Sequence, residues 1–216
     1  MENILGYLEE KWIQLTAFSK KEEVKNKLWN EIVECYTERY RFYHNLNHLA
    51  DLFSLFERSM PHVNQPAIIG LSIFYHDIVH DTFRHDNEEK SALKARGHLQ
   101  QLNIKQSLLQ NIEQFILATK GHTIPKNFLL ENDLSFFLDF NSSILGGKWE
   151  DYFMYSYNIR KEYNQFPDAV FRDGRRHALE QIANKPFIFF TLELQQLFEE
   201  TARQNINKEL SLLQNN

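Results

Sequence analysis

The chain has 216 residues, 43% apolar and 25% charged, with a formal net charge of -5. That balance suits one globular domain with a substantial core and argues against general nucleic-acid coating, which needs a basic surface. The single cysteine, Cys35, excludes an internal disulfide and fits a reducing compartment.

In chain order, MENILGYLEEKW carries acids where a signal peptide needs a basic start and an apolar run. No stretch approaches the roughly 18 apolar residues of a membrane span. The expected location is therefore cytoplasmic, with no membrane partner. Ser19-Lys20-Lys21-Glu22 reads as a capping box opening a helix to about Arg39, with Cys35 as packing on its apolar side. Leu46, Leu49, Leu52, Phe53 and Phe56 recur at helical spacing before Pro61. Pro66 to Val79 is the most apolar helix and is expected at the centre. Asn87 or a neighbour caps a helix to Gln101, and further helices are read over 104–119, 133–145, 149–163, 169–184 and 191–213. Phe187 to Phe190, after Pro186, is the one candidate strand. The expected fold is all-α, one domain over 1–216 of about ten helices.

Histidines gather at two places. His44 and His48 are four apart, as are His76 and His80, and Asp77 and Asp81 repeat the spacing. On a helix, residues i and i+4 share a face. His76-Asp77 follows the apolar AIIGLSIFY, where burying both polar side chains is costly unless something such as a metal ion compensates. Imidazole and carboxylate suit divalent transition metals.

Several strings share one resemblance: YHNLNHL (43–49), FYHDIVHD (74–81), DNEEKSA (86–92), ATKGH (118–122), LDFNSSILG (138–146), IRKEY (159–163) and FEETARQNINKEL (198–210). Together they resemble the HD-domain superfamily, and within it the branch of predicted metal-dependent phosphohydrolases. The resemblance implies a compact helical HD-type domain and a divalent cation (Mn, Mg, Co, Ni, Fe or Zn). It also implies hydrolysis of a phosphate ester, of a nucleotide or another small phosphorylated metabolite, by attack of metal-activated water. His48, His76 and Asp77 match the first three ligands. The branch places a D-x-D pair before the I-L-G turn, whose second Asp is the fourth ligand. Here Asn141 stands there and Asp139 matches the first Asp. Asp139 and His80 are alternates as ligands.

Glu88, with Glu89 second, is the candidate acid that protonates a leaving oxygen or orients water, and Asp77 is counted with it as catalytic. Phosphate also needs donors: Lys120 and His122 past a helix end, Arg160, Arg175, and His44 beside the ligands. Asp81, Asp86 and Asn87 are read as shaping the loop after the HD pair. The alternative reading is an HD-fold protein of weak or no activity that binds a nucleotide or small molecule. No G-x-S-x-G elbow, dinucleotide fingerprint, P-loop or cysteine cluster occurs.

Overall fold

The computed structural model describes residues 2–214 and is all-α, with no strand among them. The elements are α1 (Glu2–Leu15), α2 (Glu22–Tyr36), α3 (Leu46–Ser59), a 3-10 turn (Met60–His62), α4 (Pro66–Tyr75), α5 (Asn87–Gln101), α6 (Gln106–Ala118) and α7 (Glu131–Ser142). A second 3-10 turn (Ser143–Gly146), α8 (Trp149–Glu162), α9 (Asp168–Ala183), the single turn α10 (Leu192–Leu194), a π-helical turn (Gln195–Glu199) and α11 (Glu200–Gln214) complete it. Contacts divide the chain into two compact units, up to Phe137 and from Leu138 onward, with α7 running through the boundary. Among the described residues no helix is long and apolar enough to cross a membrane.

In the first unit, α4 has no polar face, so it is stable only when covered on all sides. Every residue from Ile68 to Tyr75 is buried. Trp12 of α1 meets Phe74 edge-on with ring centroids 5.7 Å apart, and its indole N–H donates to the Lys25 carbonyl at 3.1 Å. Gly70 lets α1 approach: a Cβ there would lie 2.7 Å from Leu15 Cδ1. Pro66 occupies the first turn of α4, where a missing N–H costs nothing. Ahead of it, the buried Asp133 carboxylate accepts from the backbone N–H groups of Asn64, at 3.0 Å, and Gln65.

Two local expectations change. Helix α2 begins at Glu22, not in a box capped by Ser19: the Ser19 hydroxyl accepts weakly from Lys21 N at 3.4 Å, and Glu22 pairs with Lys25 instead of reaching back. Helix α4 ends at Tyr75, not Val79. His80 and Asp81 therefore do not continue the helical face of His76 and Asp77.

In the second unit, α8, α9 and α11 meet across a buried ion pair. Arg175 donates two hydrogen bonds to the two Glu209 oxygens, at 2.9 and 3.0 Å, and the Tyr152 and Ser156 hydroxyls donate to the same carboxylate. Burial pushes the Glu209 carboxyl up, but these donors outweigh it and hold it below its ordinary value. Gly146 lies against Phe198, where an added Cβ would stand 2.8 Å from the Phe198 carbonyl oxygen. Residues 187–190 form no strand. Glu199, set by the π turn, takes the N–H groups of Ile188 and Phe189 at 2.9 and 3.2 Å, and Asp139 takes that of Phe190 at 2.7 Å.

Candidate metal centre

The apolar α4 delivers His76 and Asp77 at its C-terminal end. The Asn45 side chain caps α3 by accepting from Asn47 N at 2.9 Å, which places His48 in that helix's first turn. His48, His76 and Asp77 converge, each with one ligand atom inside a single small cluster. His48 Nε2 lies 3.3 Å from His76 Nε2, and His76 Nε2 lies 3.0 Å from Asp77 Oδ2. Both imidazoles are buried and the carboxylate keeps 21% of its surface.

The tautomer of His76 is fixed by its other nitrogen. Nδ1 stands 3.0 Å from the Ile73 carbonyl, which can only accept, so Nδ1 carries a proton. In the neutral ring Nε2 is then a lone pair facing the lone pairs of Asp77. Two acceptors at that distance need a cation between them, either a second ring proton or a metal ion. Two donors about 2.1 Å from one ion stand roughly 3.0–3.4 Å apart at the angles common in such sites. The distances above fall in that range, so the residues fit a divalent transition metal. Burial pushes the Asp77 carboxyl up, but His76, His44 and His48 outweigh this and hold it well below the carboxylate range.

Helical spacing does not unite the outer histidines, yet two of them meet. His44 precedes α3 and His80 follows α4. Their ring centroids lie 4.3 Å apart with planes tilted by 32°, and His44 Nε2 is 3.9 Å from Asp77 Oδ2. Sequence reading missed the residue that ties these segments together. Arg41, 5% exposed, donates to the carbonyls of His44 at 3.2 Å, Asp77 at 2.6 Å and Ile78 at 3.0 Å. Its Nε pairs with Glu38 at 3.0 Å, and its guanidinium lies over the Tyr36 ring at 5.0 Å. No spacing rule points to it; its place just before the YHNLNHL string is the sole signal.

The remaining candidates fall in different places. Asn141 lies on α7 in the second unit and is half-buried. Asp139, two residues earlier, accepts from Phe190 N, Thr191 N and Thr191 Oγ1 at 2.7, 2.8 and 2.7 Å, so both its oxygens hold the 190–191 turn. Burial pushes its carboxyl up to about 6 despite those bonds. Three of the expected phosphate donors are taken by carboxylates: Lys120 by the exposed Glu89, Arg160 by Asp168, and Arg175 by Glu209. Arg160 also holds the carbonyls of Tyr163 and Phe166 at 2.7 and 3.1 Å, which closes the α8–α9 turn. His122 lies in the loop after α6 with φ of 45°. Glu88 and Glu89 share the first turn of α5; Glu89 is held by Lys120, whereas the half-buried Glu88 adds its charge near the same ammonium. Asn87 ties to Asp81 in both directions, accepting from Asp81 N at 3.1 Å and donating to its carbonyl at 2.9 Å.

The chain matches no protein-family model, no curated protein and no solved structure.

Proposed function

We propose that this chain is a metal-dependent phosphohydrolase of the HD type, acting on a phosphate ester of a small molecule such as a nucleotide. The observation that carries the reading is the cluster of His48, His76 and Asp77, with the Nε2 of His76 turned to its partners by the Nδ1–Ile73 hydrogen bond. A divalent cation, when bound, supplies Lewis acidity toward a phosphoryl oxygen and lowers the pKa of water from ~15.7 toward 7. His48 and His76 would hold it as neutral donors and Asp77 as the anionic one. His76 is prevented from rotating by Ile73, and Asp77 is positioned through its own carbonyl by Arg41. Glu88, whose neighbour Glu89 is held by Lys120, is the candidate to donate a proton to the leaving oxygen.

A second reading, a binding protein of weak or no activity, is favoured by Asn141, an uncharged amide where the resembling family has a carboxylate. The two separate on purified protein. Metal content and hydrolysis are measured with a panel of phosphate esters under added Mn, Co, Ni, Mg or Zn. Activity that is lost in His76→Ala and Asp77→Ala supports the enzyme. Protein that stays metal-free and inert with every metal removes it.

A further inference from the structure

The first unit contains an open basin of about 490 Å³ between the end of α2 with its following turn, the segment 78–81, and α5. Four cations line it, Arg41, Arg84, Lys90 and Lys94, against two carboxylates, Glu38 and Asp81. In a chain of net charge -5 this is a local excess of positive charge. Internal pairing accounts for half of it. Arg41 is held by Glu38 at 3.0 Å, and Arg84 by Asp86 at 2.7 Å. Asp81 uses its carboxylate on Phe83 N at 2.9 Å. Lys90 and Lys94, one helical turn apart on α5, form no ion pair among the described residues. Among the described residues the Lys94 ammonium donates to the Cys35 sulfur alone, at 3.1 Å, a weak acceptor that leaves most of its hydrogen-bonding capacity unused.

The walls add a second kind of recognition. Tyr40 and Leu93 line the same basin and are 46% and 59% exposed, so a tyrosine ring and an aliphatic side chain face solvent beside two unpaired ammonium groups. The volume lies within the range of roughly 300–1,000 Å³ that holds small organic ligands. Ammonium groups are compact charges that bind phosphate without demanding a planar partner.

We propose that this basin binds a small organic phosphate of nucleoside monophosphate size, its phosphate on Lys90 and Lys94 and its ring system against Tyr40 and Leu93. The inference goes beyond the metal reading and does not depend on it, because neither lysine is a candidate metal ligand.

The test is calorimetric titration of the full chain, stripped with a chelator, using AMP, GMP, adenosine and inorganic phosphate. AMP or GMP binds, and adenosine binds at least about tenfold more weakly, since the charge-assisted contacts are lost. Lys90→Glu and Lys94→Glu each weaken the nucleotide by about tenfold or more, whereas the same charge reversal outside the basin, Lys105→Glu, leaves it unchanged. Lys90 is exposed, so its charge reversal leaves the fold intact, which circular dichroism checks. Absence of binding by any phosphate probe overturns the proposal. So does affinity indifferent to both lysines, or binding that appears only with added metal and vanishes in His76→Ala. Loss of metal binding with nucleotide binding retained removes the metal reading alone.

Discussion

Replacing Arg175 by Met separates the two roles its sequence context allows, phosphate donor or structural partner. Its guanidinium makes two hydrogen bonds to Glu209 at 2.9 and 3.0 Å and a third to the Tyr155 hydroxyl at 3.1 Å. The two side chains keep only 11% and 7% of their surface. Removing one partner of a buried pair leaves an uncompensated charge, at a cost of about 3–5 kcal/mol. For a chain of this size that lowers the melting temperature by roughly 6–20 °C, at ~2–4 °C per kcal/mol. Because Glu209 titrates below its ordinary value, its contribution is complete above the unfolded-state pKa and is lost as pH falls through the folded one. Urea unfolding of Arg175→Met should therefore give a shallower loss of stability on acidification than the wild type. The double variant Arg175→Met, Glu209→Met should be more stable than the sum of the single losses, by about 1–3 kcal/mol of coupling. If Arg175→Met melts within a degree or two of wild type and instead weakens phosphate binding, the guanidinium is a ligand donor and the buried-pair account is wrong.

Adding a divalent transition metal at a hundredfold over its Kd should stabilise the chain by about 2.7 kcal/mol, and His48→Ala or His76→Ala should abolish the shift in a thermal melt; an unshifted wild type would contradict the donor cluster. Asp139 is predicted to oppose stability at neutral pH. Its folded-state carboxyl titrates near 6, against 3.8 as the ordinary value, so its contribution is complete below the lower figure and is lost as pH rises through the upper. The stability of wild type relative to Asp139→Asn should fall by about 3 kcal/mol between those two values, as read from denaturant melts; a flat difference would contradict it. Gly146→Ala should cost about 1–3 kcal/mol through overpacking, because the new methyl meets the Phe198 backbone; an unchanged urea midpoint would mean that this contact yields freely.

The helical class was legible because apolar periodicity runs through nearly the whole chain, and α4 because AIIGLSIFY carries no charge and is apolar at all but its serine and terminal tyrosine. His48, His76 and Asp77 were legible by residue type and resemblance. What the sequence obscured are decisions made by distant partners. The end of α4 is one: Arg41, some 36 residues away, takes the carbonyls of Asp77 and Ile78, so the i, i+4 relation drawn to His80 does not apply. The aromatic run 187–190 matched a strand pattern, but its amides go to carboxylates of Glu199 and Asp139 instead of a neighbouring strand. The basic strings around 160 and 175 carried no sign of which guanidinium turns inward. That depends on Asp168 and Glu209, which sit on other elements.

The placement of Asp133 has an electrostatic consequence for the opposite end of α4. Aligned peptide dipoles leave a helix with about half a positive charge at its start and half a negative charge at its end. Asp133 meets the start with a buried carboxylate. Arg41 answers part of the end through the Asp77 and Ile78 carbonyls. His76 and Asp77 stand at that same negative pole. The helix that fills the core thus also biases its far end toward a cation, before any ligand atom is counted.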